Sequence, residues 1–210
     1  MKNIAVFASG GGSNFQSIYR YIQMGEIPGR IVLAVSNNPY SGAIEYAQKN
    51  KINTLIINKV RYPNPVILEE LLLCALEKND VELICLAGYM QLLPKNIVHQ
   101  FQNQILNVHP ALLPQFGGKG FYGIKVHQAV IASGTKKSGV TVHFVDENYD
   151  HGKIIAQKHV LVRTDDTVTT LAKRVLKIEH ELYPRMVKAF CENRIVWENN
   201  HPKIEVEIED

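Results

Sequence analysis

The chain has 210 residues, of which 46% are hydrophobic and 20% are charged, and its formal net charge at pH 7 is +3. This composition is typical of a globular protein and excludes a fibrous or strongly disordered one. The basic residues are scattered along the chain, whereas proteins that bind nucleic acid usually gather them in one stripe, so we expect no nucleic-acid partner. Three cysteines without CxxC or metal-ligand spacing favour a reducing compartment. With no recognisable signal peptide or membrane-spanning segment, we expect a cytoplasmic protein with no membrane partner.

The first half of the chain alternates short apolar segments with segments of helical periodicity. Strands are predicted over residues 3–9, 30–38, 52–58 and 81–88, and helices over residues 14–25, 42–51 and 66–80. Such alternation is typical of βαβ units. We therefore predict an α/β fold with a Rossmann-like, open, mostly parallel sheet and helices on both faces.

In the second half the pattern changes. Residues 104–114 are predicted as a fifth strand that runs into a loop, residues 127–134 as a short helix, and residues 139–162 as two antiparallel strands around a polar turn. A long helical stretch over 167–193 is expected to be interrupted near Pro184, and short alternating segments follow at 194–199 and 203–210. We expect one domain over residues 1–210, with a phosphate-binding half at about 1–100 and a site-completing half at about 101–210.

A glycine-rich loop, SGGGSN at residues 9–14, follows the first predicted strand and opens the first predicted helix. Backbone N–H groups at a helix N-terminus bind anions, and glycine permits close approach of the ligand. The loop matches neither the GxGxxG fingerprint nor the Lys-Ser/Thr ending of a P-loop. From this loop alone, a phosphate site and a tight turn without a ligand are equally open. The later glycine-rich segment at residues 116–123 is expected to be a flexible surface loop.

Asn107 and His109 end the fifth predicted strand. Residues two apart in a strand face the same side, so both side chains should point into one space while Val108 turns to the core. Pro110 favours an extended conformation at His109. In open α/β sheets, ligands bind at the carboxyl ends of the strands. Amide donors and a protonated imidazole at such a place can stabilise an oxyanion, and an imidazole can also transfer a proton.

This chemistry needs a carboxylate that orients His109 and favours its charged form. The polar turn offers Asp146, Glu147 and Asp150 as candidates. The sequence has no GxSxG motif, and no serine or cysteine stands where a nucleophile elbow would place it, which favours direct acyl transfer between two bound substrates. A purely structural role, with His109 capping the strand and Asn107 bonding loop backbone, stays open at this point.

Four segments, SGGGSN, LAGYMQLLP, NVHPALLPQF and GVTVHFVDENYDHGKII, follow one another in an order and at spacings similar to those of the folate-dependent formyl transferases. The resemblance covers nearly the whole chain, and SGxGSN resembles in particular the family's phosphoribosylglycinamide formyltransferase branch. It implies formyl transfer from 10-formyltetrahydrofolate, as co-substrate, to the amine of glycinamide ribonucleotide in purine biosynthesis. It also implies small-molecule substrates, no metal, and a monomer or homodimer.

The resemblance implies roles for particular residues. The implied catalytic set is His109, Asn107 and Asp150. The implied ribonucleotide contacts are Gly12, Ser13 and Asn14 at the phosphate and Glu179 at the glycinamide or ribose part. The implied folate contacts are Leu86, Met90, Gln91, Leu92, Leu93, Asn107, Val145 and Asp150. Gln91 stands where many members carry arginine, and the arginine that usually contacts the folate tail has no clear counterpart near Arg61.

Other hypotheses remain open beside this one. The chain can be a formyltetrahydrofolate hydrolase, a formyl transferase acting on another amine or, more distantly, a nucleotide-binding module without activity. His143 lies either beside the site or in the sheet as a structural histidine, and His151 is expected to be exposed. Although His143, His151 and His159 recur every eight residues, they share no predicted face, so we predict no metal. No role is assigned to Gly123 or His127.

Overall fold

The computed structural model describes residues 1–205, and they form nine strands and six helices. The strands are β1 (Lys2–Phe7), β2 (Gly29–Ser36), β3 (Asn53–Ile56), β4 (Leu83–Leu86), β5 (Ile105–His109), β6 (Lys137–Phe144), β7 (Ile154–Leu161), β8 (Ile195–Glu198) and β9 (His201–Ile204). The helices are α1 (Ser13–Gln23), α2 (Gly42–Lys49), α3 (Pro65–Lys78), α4 (Lys95–Gln100), α5 (Ile124–Ala132) and α6 (Val168–Cys191). Helix α4 was not predicted, and residues 206–210 of the last predicted segment lie outside the described part.

Seven strands form one sheet in the order β3-β2-β1-β4-β5-β6-β7. The pairs among β1 to β5 are parallel, whereas β6 is antiparallel to both β5 and β7. Strands β8 and β9 form a separate antiparallel pair. The predicted fold class, a mostly parallel α/β sheet with antiparallel additions, is therefore confirmed.

The central strands are apolar without interruption because helices cover both faces of the sheet. In β1, Ile4 and Val6 belong to one buried cluster, while Ala5 and Phe7 belong to the other. Consecutive residues of a strand point to opposite faces, so each cluster fills one side of the sheet. None of the described helices is long and apolar enough to cross a membrane.

Helix α6 runs without a break through Pro184, so the predicted interruption was wrong. Proline lacks the N–H that would bond the carbonyl four residues earlier, which here belongs to His180. The hydroxyl of Ser17 on α1 donates to this carbonyl at 2.9 Å. A tertiary contact thus supplies the hydrogen bond that the helix cannot make, and α6 continues to Cys191.

Strands β1 and β4 are neighbours at the centre of the sheet, and the strand order runs outward from them in opposite directions. The loops that follow them are tied together. Ser9 donates its backbone N–H to the Gly88 carbonyl at 3.0 Å, and its hydroxyl accepts from the Met90 N–H at 2.9 Å. In open α/β sheets, ligands usually bind in the crevice between two neighbouring strands at which the direction of the strand order reverses, as it does here between β1 and β4.

Candidate active site

A cavity of about 710 Å³ opens at this reversal, over the carboxyl ends of β1, β4 and β5. Its walls are formed by residues 10–14, 87–90, 107–110, 118–124 and 149–150, together with His127 and a row of α6 side chains, Thr169, Ala172, Lys173, Leu176 and Glu179. A volume of this size is typical of sites for small molecules. All three predicted catalytic residues and all four predicted ribonucleotide contacts line it.

The glycine-rich loop brings bare backbone to one wall of the cavity. Gly12 has φ 73°, and a Cβ at this position would lie 2.9 Å from the Cα of Ala43. Both the left-handed conformation and the contact therefore require glycine. Gly12 caps α1 without a side-chain hydrogen bond, and the first turn has no acidic residue. The first N–H groups of α1 are thus open to an anion.

Asn14 connects this loop to α6. Its Nδ2 donates to Oε2 of Glu179 at 2.5 Å, and both side chains are buried. Burial raises the pKa of the Glu179 carboxyl, although the Asn14 hydrogen bond and the charge of His109 oppose this rise. The Oδ1 of Asn14 is buried and has no partner among the described residues. A ligand hydroxyl or N–H group can supply one.

His109 lies at the end of β5 with only 3% of its surface exposed. Its Nε2 is 2.8 Å from the Phe116 carbonyl oxygen, and its Nδ1 is 3.5 Å from Oδ1 of Asp150. Since both ring nitrogens face acceptors, a proton on each is accommodated, and the imidazolium form fits this environment.

Of the three candidate carboxylates in the polar turn, only Asp150 faces His109. Asp146 pairs with the exposed His151 at 3.0 Å, and Glu147 pairs with Lys95 and His99 on the surface. The turn can fold over the site because Gly152 follows it. A Cβ at Gly152 would lie 1.9 Å from the Phe144 carbonyl oxygen.

Asp150 is held in its ionised form. Burial alone would raise the pKa of its carboxyl, but a hydrogen bond and positive charge from His109, together with the Gly118 N–H 3.0 Å from Oδ2, lower it well below its usual range. At neutral pH the site therefore contains a buried carboxylate against the catalytic candidate His109.

His143 also belongs to the site, a position that the sequence left open. It is buried, and its Nδ1 lies 2.7 Å from the Phe144 carbonyl oxygen, so Nδ1 carries the hydrogen. Its Nε2 then accepts from Nδ2 of Asn107 at 3.0 Å. Nδ2 also donates to Oδ1 of Asp150 at 3.3 Å. Both amide hydrogens of Asn107 are thus engaged, which leaves its Oδ1 as the group without a bond in this network.

The comparisons with known proteins agree with this geometry. A model of the formyl transferase family matches residues 2–187. The chain belongs to the formyl transferase family. It is similar to the chloroplastic phosphoribosylglycinamide formyltransferases of Arabidopsis thaliana, with 50% identity over 93% of this chain and 68% of that protein, and of Vigna unguiculata, with 47% identity over 93% and 63%. The chain thus spans about two thirds of these plant relatives. The crystal structure of glycinamide ribonucleotide transformylase 1 from Symbiobacterium toebii has a TM-score of 0.90 at 36% identity, covering 98% of this chain and 95% of that one.

The residues that the resemblance implies as folate contacts fall into separate groups. Met90, Asn107 and Asp150 line the cavity described above. Val145 lines a neighbouring cleft of about 800 Å³ that also contains His99 and Trp197. The remaining implied contacts line neither cavity: Leu86 and Leu93 are buried in the core, and Gln91 and Leu92 are exposed.

Several residues that line the cavity were not predicted from the sequence. The segment at 118–123, expected to be a surface loop, forms one wall. Thr169, Ala172 and Leu176 of α6 also reach the cavity, and their spacing of three and four residues places them on one helix face. This helical spacing is the feature of the sequence that could have indicated a shared face of α6. Within residues 1–205 no cluster of three or more His, Cys, Asp or Glu side chains can hold a metal ion, and independence from metal stays a prediction.

Proposed function

We propose that the protein transfers a formyl group from 10-formyltetrahydrofolate to the amine of glycinamide ribonucleotide, a step of de novo purine biosynthesis. One observation carries the proposal. Asn107, His109 and Asp150 converge in the same cavity as an uncapped helix N-terminus, so an acyl-transfer centre and an anion site share one space. Membership of the formyl transferase family and the names of its relatives support it.

The ribonucleotide occupies the side of the cavity between the glycine-rich loop and α6. Its phosphate binds the N–H groups at Gly12, Ser13 and Asn14. Lys173, which lines the same cavity, supplies a positive charge. The buried pair of Asn14 and Glu179 then meets the ribose or glycinamide part, since the free Oδ1 of Asn14 accepts a hydrogen bond from it.

The reaction is a direct attack. The amine nitrogen bonds to the formyl carbon, and the carbonyl oxygen becomes an oxyanion that accepts a hydrogen bond from protonated His109. Asp150 keeps His109 charged and oriented. The bond from the formyl carbon to the folate nitrogen then breaks, and the proton lost by the amine is transferred to that nitrogen, with His109 able to relay it.

The hydrogen bonds of Asn107 and His109 indicate what has to change when substrates bind. The Nε2 proton of His109 is engaged by the Phe116 carbonyl, and the amide hydrogens of Asn107 are engaged by His143 and Asp150. The substrate oxygen therefore competes with these acceptors. Asn107 contributes a donor to the oxyanion only when its amide turns from one of them.

The surroundings of the site support direct transfer rather than a covalent enzyme intermediate. Cys85 and Cys191 are buried in the core, and Cys74 is exposed on α3. None of them lines the cavity in the part of the chain that the structure describes. The site thus lacks the thiolate nucleophile that a ping-pong mechanism through cysteine needs.

The test is turnover of 10-formyltetrahydrofolate by the purified protein with and without glycinamide ribonucleotide. We expect tetrahydrofolate to form only when the amine is present, together with formylated ribonucleotide. Folate deformylation without the amine would favour a hydrolase, and binding of the ribonucleotide without turnover would favour a non-catalytic module. Activity that survives chelation would support the predicted independence from metal.

Three coarser expectations accompany this proposal. One domain carries the activity, with the phosphate-binding half at about 1–100 and the catalytic and folate-completing half at about 101–210. The protein acts on small molecules as a monomer or homodimer, which sedimentation can decide. A cytoplasmic location stays a prediction, because the similar plant enzymes are chloroplastic.

A further inference from the structure

His127 is a buried polar residue that the proposed mechanism does not use. It lies in the first turn of α5, with 5% of its surface exposed, and lines the cavity. Its Nδ1 is buried and has no hydrogen-bond partner within residues 1–205. Buried polar groups are normally bonded, and an exception at a cavity wall indicates that a ligand supplies the partner.

The environment of His127 keeps its ring neutral. Burial, followed by the positive charge of His109, lowers the pKa of His127 to about 4. A neutral imidazole has one N–H donor and one acceptor nitrogen. Such a ring is too weakly basic to take a proton from the substrate amine. It can instead form hydrogen bonds with a neutral group that has both a donor and an acceptor.

The position of His127 identifies the ligand group. It lines the same cavity as His109, so it faces the space that contains the reaction centre. The cavity is also lined by Glu179 and Lys173 of α6 and by Met90 and Tyr149. Between a phosphate at the glycine-rich loop and an amine at His109, such a ribonucleotide carries first the ribose and then the carboxamide, and the carboxamide is the polar group next to the amine. A carboxamide offers one N–H donor and one carbonyl acceptor.

We propose that His127 is a specificity-determining residue that hydrogen-bonds the carboxamide next to the attacking amine. This inference rests on the proposed function, because it assumes the amino-acyl ribonucleotide as formyl acceptor. A contact of this kind would let the site select a substrate with a carboxamide next to its amine, which a phosphate-binding loop alone cannot do. A site built to hydrogen-bond a substrate group rejects analogues that lack the group.

The test compares two ligands and two substitutions. Glycinamide ribonucleotide contains the carboxamide, whereas ribose 5-phosphate has the phosphate and sugar without it. His127→Leu removes both ring nitrogens at similar volume, and His127→Asn keeps a donor and an acceptor near the position of Nδ1. Affinities are measured by calorimetry, and KM and kcat by the formyl-transfer assay.

We expect His127→Leu to weaken binding of glycinamide ribonucleotide and to raise its KM roughly 10- to 100-fold. Its affinity for ribose 5-phosphate and the KM for 10-formyltetrahydrofolate should stay unchanged. His127→Asn should recover most of the loss. Since leucine also removes an unpaired buried atom, the Tm of this variant should not fall, whereas a purely structural histidine would lower Tm and weaken both ligands alike.

Equal losses for the two ligands, or wild-type affinity for glycinamide ribonucleotide in His127→Leu, would overturn the inference. If His127→Leu does not fold, His127→Met is measured against the same two outcomes. The binding comparison needs no turnover, so it is separate from the proposed function, which fails if the wild-type protein shows no amine-dependent transfer. A wild-type protein that binds both ligands equally overturns the inference even when it deformylates folate.

Discussion

The hydroxyl of Ser17 on α1 donates to the carbonyl of His180, the one acceptor in α6 that Pro184 leaves without its helix donor. Glu179 precedes this carbonyl by one residue and reaches the cavity. The same contact that keeps α6 continuous therefore also fixes the turn of helix that carries a candidate substrate contact.

Ser17→Ala should destabilise the protein by about 1–3 kcal/mol, because it leaves the His180 carbonyl without a donor. Restoring the helix N–H with Pro184→Ala should make the serine dispensable. Urea unfolding of the two single variants and the double variant measures this coupling. Equal losses from Ser17→Ala in both backgrounds would show that the hydroxyl has no special relation to Pro184.

Substitutions of Asn107 and His109 test the proposed oxyanion site. Asn107→Ala should lower kcat roughly 10²–10³-fold, the usual effect of losing one preorganised donor. His109→Ala should lower it at least as much, because a general acid–base role adds about 10²–10⁴-fold. His151→Ala is the matched control, since this histidine is exposed and, within residues 1–205, pairs with Asp146 alone. Near-wild-type turnover in both test variants would contradict the mechanism.

Much of this architecture follows from local sequence. The apolar run in β1 is buried on both faces, as an uninterrupted strand pattern predicts, and Pro110 marks where β5 ends at the ligand side. Helix α4 escaped prediction because it has only six residues, too few for a periodic pattern. The continuity at Pro184 depends on Ser17, which lies 167 residues away in sequence and leaves no local signal.

Tertiary pairing also explains why part of the candidate site could not be predicted. Asn107 and His143 are directly opposite each other in the β5–β6 register. The alternating pattern of β6 assigns His143 to a face, but it does not say which residue of the neighbouring strand it meets. Likewise, nothing in the segment at 118–123 indicates that its backbone reaches Asp150 through Gly118.

His143→Phe should lower kcat without removing any group that touches substrate. The Nε2 of His143 accepts from Asn107 and so fixes the orientation of the amide, and without this acceptor the amide is no longer preorganised for the reaction. We expect a smaller fall in kcat than in Asn107→Ala, and His143→Gln, which keeps an acceptor, should recover part of it. In a double-mutant cycle, additive effects of His143→Phe and Asn107→Ala would contradict this coupling.

Asp150 makes stability depend on acid pH. Its pKa is lower in the folded protein than its ordinary value, so the unfolded chain binds the proton first as pH falls. The stabilisation is fully present above the ordinary carboxyl range and is lost as pH falls through it towards the lowered value. Asp150→Asn should therefore flatten the dependence of the unfolding free energy on pH in the acid range. A variant with the same acid slope as the wild-type protein would place the titrating group elsewhere.

Lys173 tests the phosphate side of the cavity. It is exposed on α6 and lines the cavity, whereas Lys177, one turn further on, does not line it. Because an exposed ion pair is weak, Lys173→Ala should raise the KM for glycinamide ribonucleotide about 2- to 5-fold, and added salt should shrink the difference from wild type. Lys177→Ala is the matched control and should leave KM unchanged. Equal effects of the two substitutions would mean that general surface charge, rather than a contact at the glycine-rich loop, attracts the phosphate.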